Sequence, residues 1–156
     1  EFLHLPQDKV LIVDDDLHIL RMASRILQSD GIATTEVSSG REALNQILYS
    51  HYDLVLLDIN LDDLDGFSIV KKVRAQGIST PIIIISGNTE EYNTIFGLGI
   101  GADDYLAKPV SPAILGAKVK ALIRRNRTAM ESSEKVLERG PFSFALETYT
   151  LYMDHR

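Results

Sequence analysis

The chain has 156 residues, 45% hydrophobic and 24% charged, which suffices for one core of about 120 residues plus a remnant and excludes two full-sized domains. No apolar run approaches the ~20 residues that span a bilayer and no signal-like segment opens the chain, so a soluble, cytoplasmic protein with no membrane role is expected. The absence of cysteine excludes disulfides and thiolate zinc sites, and 16 Lys plus Arg against 22 Asp plus Glu, a net charge of −6, argues against this chain itself gripping a polyanion. The four histidines, His4, His18, His51 and His155, have no paired ligand spacing and read as solvated or satisfied side chains.

From Lys9 to about Arg127 one rhythm repeats, a short β-branched or apolar run followed by a helical pattern. In chain order the predicted elements are a strand over Val10 to Val13, a helix over Leu17 to Gln28, a strand over Thr34 to Val37 and a helix over Gly40 to Ser50. A strand over Leu54 to Leu57, a helix over Phe67 to Ala75 and a strand over Ile82 to Ile85 follow. A helix over Glu90 to Gly97, a strand over Tyr105 to Ala107 and a helix over Pro112 to Arg125 complete the set. In the last, Ser111 reads as the N-cap and Pro112 suits the first turn, with Ile114, Leu115, Val119 and Leu122 at helical spacing. The first, third and fourth strand runs are apolar nearly throughout, as strands covered on both faces should be, whereas TTEV and YLA suit the edges. Five βα units predict a doubly wound α/β fold with one five-stranded parallel sheet, whose ligand sites lie at the carboxyl ends of the strands.

Beyond Arg127 the pattern changes. Residues 128–140 are polar, charged and helix-tolerant, and read as a linker closed by a Gly-Pro pair. In residues 141–156, Phe142, Phe144 and Leu146, then Tyr149, Leu151 and Met153, alternate at period two around Glu147 and Thr148, the pattern of a strand pair. Two strands alone are marginal in water, so this tail reads as the start of a domain cut short. There is no initiator Met, and Glu-Phe is encoded by a common restriction site, so Glu1 and Phe2 read as a cloning remnant.

The chemistry collects at the strand ends. The first strand runs into Asp14, Asp15 and Asp16; the third ends at Asp58, followed by Asn60, Asp62, Asp63 and Asp65. In this fold the first and third strands are neighbours at the switch point, so Asp14, Asp15 and Asp58 are expected to converge. Like charges so close call for a hard divalent cation, and oxygen ligands with retained waters describe Mg²⁺ best. Asp16 reads instead as a helix cap, and Asp62, Asp63 and Asp65 as a solvated turn. The fourth strand ends in Ser86, and Lys108-Pro109 follows the fifth; the Pro biases Lys108 away from the helical region and is often cis in tight turns, either of which aims the ammonium at the acids. A carboxylate nucleophile, a metal, a hydroxyl and a fixed cation suit phosphoryl transfer to an aspartate.

The segments VLIVDDD, DLVLLDINLDDLDGF, PIIIISG and GADDYLAKP, in this order and spacing, resemble the response-regulator receiver domain of two-component signalling over about residues 8–127. The resemblance implies the flavodoxin-like (βα)5 sheet with strand order 2-1-3-4-5. The tail resembles the opening strands of the winged-helix effector of OmpR/PhoB-type regulators. By that resemblance Asp58 matches the phosphoacceptor, Asp14 and Asp15 the acidic pair that holds Mg²⁺, and Asn60 the position that ligates the metal through its backbone carbonyl. Ser86 matches the switch hydroxyl, Tyr105 the switch aromatic and Lys108 the lysine of the family. It also implies a sensor histidine kinase as phosphoryl donor, promoter DNA as the target of the full-length protein only, and no turnover enzyme.

Departures from the family bear on expectations. Asp62-Asp63 stands where a Pro-Gly-type turn is usual, suggesting a more mobile and more negative loop after Asp58. An EF-hand reading of DINLDD fails, because Asp63 and Ile69 stand where Gly and Glu are required. OmpR/PhoB-type receivers pair on phosphorylation through the segment that 90–125 represents, and Asp103, Asp104, Lys118, Lys120 and Arg125 match its charged positions. Thr94, Gly99 and Ile114 replace a basic residue and two acids, with Ile114 and Ile100 as an apolar alternative. Two rivals fall on residues: an aspartate-nucleophile phosphatase wants a carboxylate where Asn60 stands, and a flavin carrier wants a phosphate loop where three acids follow the first strand. A receiver with protein binding as its only output stays open.

Overall fold

The computed structural model describes residues 7–87, 96 and 98–137, with side chains to 130. β1 (Lys9–Val13), β2 (Ala33–Val37), β3 (Leu54–Asp58), β4 (Ile82–Ser86) and β5 (Asp104–Ala107) form one sheet in the order β2-β1-β3-β4-β5, every pair parallel. The expected order and edge positions hold. β3 and β4 are buried at every residue and β1 at all but Lys9, while β2 and β5 are mixed.

The helices are α1 (Leu17–Ser29), α2 (Gly40–Tyr49), α3 (Gly66–Ala75) and a last helix, Pro112–Leu137. Successive strand residues face opposite sides, so the apolar runs feed two cores. Ile12, Leu56 and Ile85 meet Leu20 and Leu27 of α1 and Leu115 and Val119 of the last helix on one face. On the other, Leu11, Leu57 and Ile84 meet Ala43 and Ile47 of α2 and Ile69 and Val73 of α3. Full burial of one such aliphatic side chain stabilises by about 1.5–3 kcal/mol, so the two layers fix the sheet that carries the site.

Chain contacts divide the protein into two units, Glu1–Ile123 and Arg124–Arg156; sheet and site belong to the first. In the second, residues 124–137 continue the helix that sequence patterning ends near Arg125, because no Gly or Pro interrupts the chain before Gly140. The residues read as the start of the linker are therefore helical as far as Leu137. The expected helix over Glu90 to Gly97, except Phe96, lies outside the described residues, as do Thr94, residues 1–6 and the strand pair of the tail. Among the described residues no helix is long and apolar enough to cross a membrane.

Parallel register lines up the strand ends. Val13 is level with Leu57, Asp58 with Ile85, and Ser86 with Ala107. Asp58 and Ser86 are the last residues of their strands, one step beyond the apolar runs and where the sequence reading ends them; Ile59 donates to the Ile85 carbonyl (3.3 Å) and Lys108 to the Ser86 carbonyl (2.9 Å). Asp58 and Ser86 thus stand on neighbouring strands at the carboxyl end of the sheet.

Candidate functional site

Asp14 follows β1 directly, and its amide donates to the Val37 carbonyl (3.2 Å), tying it to the end of β2. Its side chain is buried; Oδ1 accepts from the Asp16 amide (2.9 Å), and Oδ2 is turned toward Lys108. That oxygen stands 3.1 Å from the Lys108 ammonium. Asp58, also buried, accepts at Oδ1 from the Asn60 amide (3.0 Å) and at Oδ2 from Lys108 Nζ (3.3 Å). Asp15 is exposed, and one carboxylate oxygen from each of Asp14, Asp15 and Asp58 lies within 4.8 Å of the others.

The expected convergence of the three acids and of Lys108 is therefore met. The Lys108-Pro109 bond is cis, and Lys108 spans the two buried acids. Burial pushes the Asp14 carboxyl up, and the neighbouring Asp58 charge adds to this; the Asp16 amide and Lys108 oppose them and lose. Burial alone would lower the Lys108 ammonium, but hydrogen bonds and charges of Asp14 and Asp58 together outweigh it, and its pKa rises. Three carboxylate oxygens gathered at one place, two of them on buried side chains, are the donor set of a hard divalent cation, so the residues fit Mg²⁺.

Ser86 is fully buried at the end of β4, with Asn60 Nδ2 3.5 Å from its Oγ. Tyr105 is level with Ile84 on β5 and half-buried against the α2–α3 core, two residues before the position level with Ser86. Asn60 is exposed and lies in the loop that leaves Asp58.

The acidic loop is exposed as expected and carries contacts beyond that expectation. Asp65 caps α3, accepting from the Phe67 amide (3.1 Å), as Asp16 caps α1 through the His18 amide (2.9 Å). Asp63 is exposed, as a solvated turn implies, and also accepts from the Gly40 amide (2.8 Å) and the Arg41 amide (3.1 Å) at the start of α2. Those amides hold its carboxyl below the usual carboxylate range. A contact across 22 and 23 residues leaves no local periodicity to read, although a Gly opening a helix hints at close approach.

The proposed interface charges are mostly engaged within the chain. Asp103 pairs with Arg74 (3.0 Å), Asp104 with Lys118 (2.9 Å) and Lys120 with Asp30 (3.4 Å). Of the two apolar alternatives, Ile100 packs against the core and Ile114 is half exposed.

The profile described as the response regulator receiver domain matches residues 10–120. The chain is 39% identical over 126 residues to the alkaline phosphatase synthesis transcriptional regulatory protein PhoP of Bacillus subtilis, covering 81% of this chain and 52% of that protein. It is 38% identical over 133 residues to the transcriptional regulatory protein PrrA of Mycobacterium tuberculosis, covering 85% and 57%. It thus spans about half the length of the curated relatives it matches. The solved receiver domain of the Francisella response regulator 1452 superposes with a TM-score of 0.74 at 40% identity, over 77% of this chain and 99% of that one. An acidic pocket bridged by a lysine at the end of a 2-1-3-4-5 sheet and the match over residues 10–120 agree: the chain belongs to the response regulator receiver domain family.

Proposed function

We propose that Asp58 accepts a phosphoryl group from the phosphohistidine of a sensor kinase, and that the change of charge at this site is the signal. The observation that carries the reading is Lys108 spanning the buried Asp14 and Asp58 carboxylates at 3.1 and 3.3 Å. An Asp58 oxygen attacks phosphorus, the phosphorus–nitrogen bond breaks, and the imidazole leaves with the bonding pair. Lys108, held cationic by its two acids, offsets charge on the transferring oxygens. Asp14, Asp15, Asp58 and the Asn60 carbonyl would hold Mg²⁺, which when bound supplies further neutralisation of the phosphoryl oxygens. Asn60 stands where an aspartate-nucleophile phosphatase needs a general acid, so the group is taken up once and lost slowly, without turnover on small phosphoesters.

The acyl phosphate adds about −1.5 to −2 charge and new acceptor oxygens. Ser86 donates to one of them, Tyr105 turns toward the space released, and the surface of β5 changes. The group shifts a pre-existing equilibrium only by its preference for one state; moving 1:99 to 99:1 takes about 5.5 kcal/mol. The domain reading is a receiver over 8–127, a linker over 128–140 and the first strands of a winged-helix effector over 141–156, with promoter DNA the target of the full-length regulator. Homodimerisation on phosphorylation uses residues 90–125, including Asp103, Asp104, Lys118, Lys120 and Arg125.

The test is mass spectrometry after treatment with acetyl phosphate, with and without Mg²⁺. One Mg²⁺-dependent phosphoryl adduct, absent from Asp58→Asn, is expected. An adduct that persists in Asp58→Asn overturns the assignment.

A further inference from the structure

The mechanism leaves one contact unused. The first amides of α2 need acceptors from outside the helix, and each has one: Ser39 Oγ takes the Glu42 amide (3.2 Å), while Gly40 and Arg41 donate to the two oxygens of Asp63. The loop also sits directly on the helix. A Cβ on Gly40 would lie 2.7 Å from Leu64 Cβ, closer than real carbons approach, so only glycine admits this seating. At its other end the loop is closed by the Gly66 amide on the Ile59 carbonyl (3.1 Å), where a Cβ on Gly66 would meet Ile59 Cα at 2.5 Å.

Those contacts complete a circuit around the pocket. Asp14 is tied through its amide to Val37 at the end of β2, three residues before Gly40. Gly40 and Arg41 are tied to Asp63, and Asp63 is three residues beyond Asn60, whose amide is bonded to Asp58. The loop carrying Asn60 is therefore located from two sides, by Asp58 and by α2, and α2 is located from the strand that holds Asp14.

We infer that Asp63 is a positioning residue for phosphoryl acceptance, clasping the Asn60 loop to the start of α2 so that the loop keeps its place beside Asp14 and Asp58. The inference rests on the phosphoacceptor reading. Asp63 touches no reacting atom, so its loss acts on assembly of the cation pocket. Groups that orient metal ligands from one shell out change affinity by about 10- to 100-fold, and a clasp on a backbone ligand belongs at the lower end of that range.

The experiment compares the parent, Asp63→Ala, Asp63→Asn and Asp62→Ala. Mg²⁺ affinity is measured by titration calorimetry, exchange of the Gly40 and Arg41 amides in metal-free protein by NMR, and adduct formation with acetyl phosphate by mass spectrometry. Asp63→Ala is expected to weaken Mg²⁺ on the order of tenfold and to speed exchange of both amides, with little change in phosphorylation rate at saturating Mg²⁺. Asp63→Asn keeps one acceptor and is expected to fall between. Asp62→Ala removes the same charge from an exposed neighbour and is expected to match the parent. Equal weakening by Asp62→Ala and Asp63→Ala would reduce the effect to net charge and overturn the positioning role, as would parental Mg²⁺ affinity in Asp63→Ala. Should Asp63→Ala unfold, Asp63→Asn against Asp62→Ala decides by the same criterion. A parent that takes no phosphoryl group overturns the underlying reading instead.

Discussion

Asp14 is the residue on which the metal-free site is least comfortable. Its carboxyl is pushed above the ordinary 3.8, burial first and Asp58 next, even with Lys108 beside it. A raised carboxyl pKa means that the ionised form costs the folded state stability at neutral pH, and that the cost fades as pH falls through the folded pKa toward 3.8. Asp14→Asn removes this charge without changing shape, so metal-free Asp14→Asn is expected to be more stable than the parent at pH 7. The gain is expected to shrink at pH 4. Denaturant melts in EDTA at both pH values check it; a variant less stable than the parent at pH 7 would mean the Lys108 pair outweighs burial. Asp14, Asp58 and Lys108 were legible in the sequence because parallel strands of one fold must end together, and register carries a strand-end residue into a site. Asp63 was not, because its role depends on an approach of loop to helix that neither segment encodes alone.

Among the elements, α2 reports most directly on how the loop is seated. Replacing Gly in a helix by Ala normally stabilises by about 0.5–1 kcal/mol, and less at the first position, where the backbone is only partly helical. At Gly40 the added methyl would meet Leu64 Cβ at 2.7 Å, and overpacking of this kind costs about 1–3 kcal/mol. The second effect is the larger, so Gly40→Ala is expected to lower stability by about 1–2 kcal/mol and displace the loop after Asp58. Chemical denaturation gives the first, and loss of slow exchange at the Gly66 amide gives the second. The sequence showed the helix but not this dependence. It also ended the last helix near Arg125, because apolar spacing stops there, whereas a polar stretch free of Gly and Pro carries the helix to Leu137.

For the whole molecule, the arrangement of charge bears on how two copies would pair. Arg74 is held by the carbonyls of Ile78 (2.9 Å), Thr80 (2.8 Å) and Gly101 (3.0 Å) as well as by Asp103, so Asp103 is already fixed to its own chain. Asp104 and Lys120 are likewise satisfied by Lys118 and Asp30. Recruiting these groups across an interface would exchange one exposed ion pair for another, each worth about 0–1 kcal/mol, with little net gain. Ile114, half exposed where the family commonly has an acid, is exposed apolar surface, as are Phe96 and Leu98, and burying the remaining half of such a side chain contributes about 1–1.5 kcal/mol. Apolar burial should therefore dominate the proposed pairing of residues 90–125. With beryllofluoride and Mg²⁺ present, Ile114→Lys is expected to weaken dimerisation on the order of tenfold or more, and Asp104→Asn by no more than a few-fold. Raising salt from about 0.05 to about 0.5 M, which shortens the screening length severalfold, is expected to change the constant little. Sedimentation equilibrium measures all three. A steep salt dependence with an inert Ile114→Lys would show instead that the charge pairs are exchanged between copies and carry the contact.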